Sequence, residues 1–436
     1  VTFVPHHEET TSLFNGFSKL SRQERFARLQ QMGALSKEDI DYLSKGGIPH
    51  LDLAEKWIEN VIGYFQLPLG VATYLRIDEK DYTVPMAVEE TSIIAAVSKS
   101  AKWIRQHGRI STEVVGNTII GQIQLAQVKD WTNLKNIVMF HEQDLIDKAN
   151  ENVAYGLVRR GGGVEKITLR EVSREDGASM AVIHVFTNCC DAMGANIINQ
   201  ILEYLKPLIE ELTDETVTMC ILSNLNDSQV TRAQVLLRDI DDELAHRIEE
   251  ASYFAEQDPY RAATHNKGVL NGIDPVIIAT GNDWRAVEAG IHAYAARDGQ
   301  YRSVTKWRYH NKELIGTFEA PIIVGTVGGV TRLHPTAKMC LKMMDIQSAQ
   351  ELSRVAAAVG LVQNLGALRA LTTVGIVQGH MKLHIDNLTL SAGANEEEMP
   401  WLKAKLEQWL QFHKRVTLTH AIDFLTELRQ KQTVLP

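Results

Sequence analysis

The stretch CCDAMGANIINQILEYLKPLIEEL, Cys189 to Leu212, decides what kind of fold this chain adopts. The residues before it, MAVIHVFTNCC (Met180–Cys190), alternate as a strand, and apolar residues after Gly194 recur at helical spacing. Asp191 can cap that helix, and Gly194 lets another backbone or a phosphate approach its N-terminus. A dinucleotide pyrophosphate suits such a place, and so does a packing neighbour; the segment alone leaves both open. One glycine is not a GxGxxG series, so a Rossmann domain is not supported.

The surroundings extend this pattern. RISTEVVGNTIIGQIQLAQV (Arg109–Val128) alternates, WTNLKNIVMFHEQDLIDKANENV (Trp131–Val153) reads as helix, KITLREV as strand, and VTMCILSNLND (Val217–Asp227) as a strand entering a polar loop. A small α+β unit over 109–223, inserted in a larger mixed domain, is expected. Upstream, Ser21–Gly47 is helical, YLRIDEKDYTVPMAVEE (Tyr74–Glu90) reads as a hairpin turning at Asp78–Asp81, and TSIIAAVSKSAKWIRQ (Thr91–Gln106) as a capped helix. Downstream, DSQVTRAQVLLRDIDDELAHRIEEASYFAEQ (Asp227–Gln257) reads as one helix and RSVTKWRYHNKELIGTFEAPIIVGTVGG (Arg302–Gly329) as a hairpin region. The tail after SAGANEEE (Ser391–Glu398) reads as two amphipathic helices and is expected to form a mobile C-terminal piece.

Composition narrows the function. The chain has 436 residues, 44% hydrophobic and 23% charged, enough for two or three compact units. A net charge of −9 and a pI near 5.9 argue against a nucleic-acid surface, which needs clustered Lys and Arg. The apolar run RVAAAVGLVQNLGALRALTTVGIVQGH (Arg354–His380) is broken by Gln363, Asn364 and Arg369, so a buried helix and no membrane span is expected. Four cysteines without a CxxC, and an N-terminus (VTFVPHHEETTSLF) unlike a secretory signal, lead us to expect a reducing, cytoplasmic setting.

Candidate chemistry gathers in RAATHNKGVLNGIDPVIIATGNDWRAVEAG, Arg261 to Gly290. Its glycines and asparagines favour turns over helix, and place Lys267 and Asp283 in two polar loops. Lys267 is either a solvated amine or a stabiliser of a developing oxyanion. Glu89–Glu90 is either a helix-start charge pattern or, with a raised pKa, the source of a general acid. In QGHMKLH, His380 and His384 share a helical face, but no third ligand at metal spacing accompanies them; a proton-donating or a structural histidine remains. VGTVGGVTRLHP (Val324–Pro335) lacks the GK[ST] of a P-loop and reads as a tight turn against a neighbouring element.

Together these segments resemble the soluble, bacterial-type (class II) 3-hydroxy-3-methylglutaryl-CoA reductases. ENVIGYFQLPLGVAT, PMAVEETSIIAA, DAMGAN, ILSNL, DPYRAATHNKGVLNGIDPVIIATGNDWRAVEAG, VGTVGGVT and QGHMKLH stand in that family's order from Glu59 to His384. The resemblance implies an α+β fold. Its large domain, residues 1–108 and 224–378, would hold the acyl-CoA. A small non-Rossmann domain at 109–223 would hold the nicotinamide cofactor, and residues 379–436 would form a helical C-terminal flap. It also implies a homodimer with active sites between subunits, and no metal.

By the same resemblance Glu90, Lys267, Asp283 and His380 are the catalytic set. Arg261, Ser92, Asn224 and Asn271 hold the polar end of the substrate, and Asp191, Met193, Gly194 and Asn196 belong to the cofactor-binding helix start. The implied reaction reduces HMG-CoA by two hydrides to mevalonate and free CoA; the same site can run as mevalonate oxidation, and a CoA-thioester-binding protein without chemistry is the rival of another class. In that mechanism Lys267 stabilises the oxyanion, Asp283 lies close to Lys267 and Glu90 and helps keep Glu90 protonated, and His380 protonates the departing thiolate. Where NADH-preferring members carry an acidic residue before the GGG turn, the ungapped position here is Ala154. With Arg159 and Arg160 close by, this favours NADPH over NADH, and Glu151 is the residue able to reverse it.

Overall fold

In the computed structural model, residues 12–373, 385–413 and 415–433 are described; His380 and His384 lie outside them. The chain begins with helices α1 (Arg22–Gln31) and α2 (Lys37–Ser44), each started by a serine, Ser21 and Ser36, in a reciprocal capping box. Strands β1 (Leu69–Ile77) and β2 (Lys80–Ala87) form the expected hairpin, its turn made by Asp78 and Glu79 at positive φ. Helix α3 (Ile93–His107) follows, then β3 (Gly108–Val115) and β4 (Ile119–Leu125), α4 (Trp131–Phe140), α5 (Glu142–Asn152), β5 (Gly163–Ser173), β6 (Ser179–Asn188), α6 (Ala195–Thr213) and β7 (Met219–Leu222). Beyond these come β8 (Val230–Arg238), α7 (Asp242–Gln257), α8 (Pro259–Ala279), α9 (Trp284–Ala295), β9 (Thr305–His310), β10 (Glu313–Ala320), α10 (Pro335–Met343), α11 (Ala349–Leu371), α12 (Met399–His413) and α13 (Leu418–Thr433).

Two sheets organise this α+β fold. A six-stranded sheet runs β2-β1-β3-β8-β10-β9, and a four-stranded antiparallel sheet runs β5-β6-β4-β7. β3 belongs to the first sheet, pairing with β8, and the chain enters the second at Ile119 and leaves it at Leu222. Each sheet has its own core: Ile123, Ile183, Leu202 and their neighbours lie under the second, and the inner faces of α3, α8 and α11 under the first. Residues 385–425 bury a third, small cluster.

Two expectations are corrected. Asp227–Gln257 is not one helix: Val230–Arg238 is a central strand, paired along its length with β3 and β10, and α7 starts only after Asp241 caps it. The run Val235–Leu236–Leu237 mimics helical spacing, but Arg232 and Gln234 are exposed between buried Thr231, Ala233 and Val235, the alternation of a strand. Likewise Lys267 is not in a loop. Pro259–Ala279 is a single 21-residue helix, capped by Asp258.

Its second glycine, Gly272, serves packing rather than turning. A Cβ on Gly272 would lie 2.8 Å from the Val359 carbonyl oxygen and 3.0 Å from Gly360 Cα, and one on Gly360 would lie 2.7 Å from Ile273 Cγ1. The backbones of α8 and α11 thus cross at a contact that only glycine fits, and packing outweighs the roughly 1 kcal/mol that a mid-helix glycine costs. Gly272→Val should therefore lower the unfolding free energy by about 1–3 kcal/mol, read as a shifted midpoint in urea.

Candidate active site

Helix α8 lays Lys267, Asn271 and Asp274 along one face, by the spacing of successive turns. Lys267 is exposed, Asn271 half-buried and Asp274 deeper still. At the exposed end, Lys267 Nζ donates to Glu90 Oε2 at 3.0 Å, joining residues 177 apart in the chain. Glu90 precedes α3, whose N-cap, Ser92, has a left-handed φ of 76° and makes no capping bond; its hydroxyl is buried without a hydrogen-bond partner in the described chain. The sequence pattern suggested a conventional serine cap, but the backbone has turned that hydroxyl away from the helix amides.

Arg261, at the start of α8, is half-buried and forms no ion pair or hydrogen bond among the described residues. Desolvation pulls its pKa below the ordinary arginine value. A guanidinium held out of water without a carboxylate is primed for an anionic ligand.

Asp283 stands in the turn after α8 and caps α9, accepting from the Arg285 and Ala286 amides at 3.1 Å, with the Arg285 guanidinium 3.7 Å away. Among the described residues it bonds to neither Lys267 nor Glu90. Asn224 meets the same helix from the other side: a Cβ on Gly290 would lie 2.6 Å from its carbonyl oxygen. Met193 and Asn224 line one small cleft with Ala195, Ala286 and Ile323, where the two sheets' units adjoin.

The turn before α6 is built for close approach. Gly194, at φ 95°, is the N-cap; a Cβ there would collide with Cys189 Sγ, and no side chain caps α6. The first-turn amides are therefore left for an anion, and Asn196 stands exposed beside them. Asp191 does not cap this helix as expected. Its Oδ1 instead accepts from the Ala349 amide at the start of α11 at 2.9 Å, and its carbonyl accepts from the Thr326 amide at 2.9 Å.

The GGG turn packs against the same place. A Cβ on Gly162 would lie 2.7 Å from Cys190 Sγ, and Arg159 and Arg160 are exposed just before it. Ala154 is fully buried in the core of the small unit, so the exposed side chains that set the charge here are Glu151, Arg159 and Arg160.

Two residues escaped the sequence reading. Asp274 faces Glu288 of α9, and burial, then the hydrogen bond and charge of Glu288, push its carboxyl up to about 8. Its place on the Lys267 face was the available signal. Asn282, next to Asp283, accepts from the Gly325 amide at 2.7 Å, a long-range bond with no sequence signal. No His, Cys, Asp and Glu group suited to a metal, and no helix long and apolar enough to cross a membrane, occurs among the described residues.

The sequence profile described as hydroxymethylglutaryl-coenzyme A reductase matches residues 21–385. The chain is 42% identical over 423 residues to the 3-hydroxy-3-methylglutaryl-coenzyme A reductase of Archaeoglobus fulgidus, covering 96% of this chain and 95% of that one. Similarity to a probable enzyme of that name from Borreliella burgdorferi is 32% over 397 residues, 87% and 88% of the two chains. Among solved structures, the Streptococcus pneumoniae reductase superposes with a TM-score of 0.81 at 38% identity, covering 95% of this chain and 99% of that one. A class II structure from the same organism, bound to NADPH in open conformations, gives 0.80 at 37%, covering 83% and 100%.

The buried Asp274 carboxyl makes stability depend on pH. Between its ordinary value of 3.8 and about 8, the folded chain keeps a proton that the unfolded chain releases, so stability falls as pH rises through that window. Asp274→Asn should flatten the decline, seen as melting temperatures at pH 5 and pH 8 that lie closer together than the parent's.

Proposed function

The chain belongs to the hydroxymethylglutaryl-coenzyme A reductase family, and on that premise we propose how its own residues carry the reaction. The reading is reduction of the HMG-CoA thioester to mevalonate and free CoA, consuming two reduced nicotinamides and two protons. One observation carries it: the exposed Lys267–Glu90 contact, with Lys267 on the same helix as half-buried Arg261, which has no counter-ion among the described residues.

Arg261 binds the substrate carboxylate, with Asn271, Asn224 and the orphaned Ser92 hydroxyl supplying further polar contacts. Lys267 then faces the thioester carbonyl and stabilises the oxyanion that forms there, and later polarises the aldehyde. Glu90, already in contact with Lys267, donates the proton that the alkoxide needs. Asp283 acts on this pair in the closed, assembled site, and His380 protonates the leaving thiolate so that it cannot return.

The uncapped start of α6 in the small unit, with Met193, Gly194 and Asn196, would hold the pyrophosphate of a nicotinamide cofactor, which would supply the hydrides. Residues 1–108 and 224–378, joined by strand β3 through its pairing with β8, form the substrate domain, and 379–436 the flap that closes over it. Arg159 and Arg160 beside the GGG turn favour the 2′-phosphate of NADPH, although the exposed Glu151 offsets part of that charge. A homodimer completes the site: Ile62 and Phe65 are 98% and 93% exposed in the segment leading to β1, an apolar surface suited to a partner subunit.

The test is to mix the protein with HMG-CoA and either nicotinamide, following cofactor absorbance and free thiol. Two cofactors oxidised per thiol released is the expected result, with NADPH the faster, and Lys267→Ala should slow turnover by about 10²–10³-fold while remaining folded. Thioester binding without oxidation would favour a binding protein.

His380→Gln should slow the thioester reaction by about 10²-fold and spare mevaldehyde reduction, which has no thiolate to protonate. Equal losses on both substrates would remove His380 from that role.

A further inference from the structure

The glycine-rich run after β10 answers to a different purpose from a plain turn. Gly325 is pressed between two functional turns. A Cβ on it would lie 2.7 Å from the Met193 amide nitrogen and 3.3 Å from the Ala192 carbonyl carbon, so its backbone lies flat on the turn that opens α6. On its other side, the Gly325 amide donates to Asn282 Oδ1 at 2.7 Å, and the next residue, Thr326, donates its amide to the Asp191 carbonyl at 2.9 Å. Asn282 is in turn held by its own amide group, which donates to Thr280 Oγ1 at 3.2 Å, and by its backbone amide, bonded to the Ile277 carbonyl at 3.0 Å. Further along, Thr331 Oγ1 donates to the Gly281 carbonyl at 3.2 Å.

These bonds form one unbroken path, Asp191 to Thr326, Gly325 to Asn282, and Asn282 to its neighbour Asp283. The path joins the start of α6 in one unit to the start of α9 in the other, two places about ninety residues apart along the covalent chain. We propose that Asn282 is a positioning residue for the reaction: it clamps the Gly325 loop so that Asp283 and the turn at Asp191–Gly194 keep a fixed separation. The inference rests on the assignment of that turn to the nicotinamide cofactor and of Asp283 to the catalytic group. Asn282 touches neither substrate nor cofactor; it acts through the two turns it joins.

Geometry errors of about 1 Å at a reacting centre cost up to about 10²-fold in rate. Asn282→Ala, which leaves the Gly325 amide without its acceptor, is therefore expected to lower kcat for mevaldehyde reduction by about 10- to 100-fold, with the substrate KM within about threefold of the parent. Asn282→Asp keeps an acceptor at the same place and should recover kcat to within about threefold of the parent. Gly325→Ala, which adds a Cβ against Met193, is a second probe from the opposite end, expected to raise the KM for the nicotinamide as well as to lower kcat.

A purely structural role predicts a lower melting temperature with unchanged kcat in the Ala variants, or no recovery by Asp; either result overturns the inference. So does a Gly325→Ala enzyme with parental kinetics, which keeps the test decisive if Asn282→Ala fails to fold. Failure of the functional reading is separate: it would show as a parent protein that oxidises no nicotinamide with either HMG-CoA or mevaldehyde.

Discussion

The crossing of α8 and α11 at Gly272 and Gly360 is the constraint on which the rest depends. Two backbones within van der Waals reach leave no room for side-chain slack, so a shift of either helix would drive a carbonyl or a methylene into the other. A buried polar network beside the crossing fixes rotation as well. Asn364 of α11 accepts from Trp307 Nε1 at 2.8 Å and from Thr305 Oγ1 at 3.1 Å, and its amide faces His265 Nε2 of α8 at 3.1 Å. Burial drives His265 down to about 3, so it serves as a neutral ring in this network. Breaking any of these contacts would strand a buried polar group at a cost of about 1–3 kcal/mol, and the face bearing Lys267, Asn271 and Asp274 is thereby aimed in one direction.

The same helix reaches the other half of the site. Asp191 bonds to the first residue of α11, Ala349, while Gly360 lies eleven residues further on, about 16 Å along the axis. One rigid rod thus touches the turn before α6 at its end and holds α8 at its middle. The small unit could otherwise pivot on the two strands that lead into and out of it. With the first amide of α11 bonded to a residue of that unit, the unit's position relative to Lys267 becomes a property of helix geometry rather than of loops.

This explains what was legible in the chain and what was not. Alternation in Ile119–Leu125 and Ser179–Asn188 declared the second sheet, because one face of each strand is buried and a two-residue period follows directly. The candidate site residues stand out by their types and order, and of them the structure joins Glu90 to Lys267, while among the described residues Asp283 bonds to neither. Val230–Arg238 was misread because its strand character is decided by β3 and β10 on either side, neither of them adjacent in sequence. Lys267 was misplaced in a loop because glycine and asparagine lower helix propensity, and the compensating contact lies on α11, almost ninety residues away. Asn282 and Asp191 are of the same kind: each looks like a local cap, and each spends its side chain on a distant backbone amide.

Set against these satisfied groups, the unsatisfied ones stand out. Glu256 with Arg308, and Glu351 with Lys80 and Tyr82, are well-bonded carboxylates with nothing to spare for a ligand. Around Lys267 the accounting differs. Among the described residues Arg261 has no counter-ion, the Ser92 hydroxyl has no partner and the α6 amides have no side-chain cap, and the Lys267–Glu90 pair is more than 40% exposed on both sides. An ion pair that exposed stabilises the fold by at most about 1 kcal/mol, so opening it for an incoming carbonyl sacrifices little. Among the described residues α8 and the start of α6 thus carry a cation without a counter-ion, a nearby hydroxyl without a partner, an ion pair open to water and free helix amides, a combination suited to an anionic ligand.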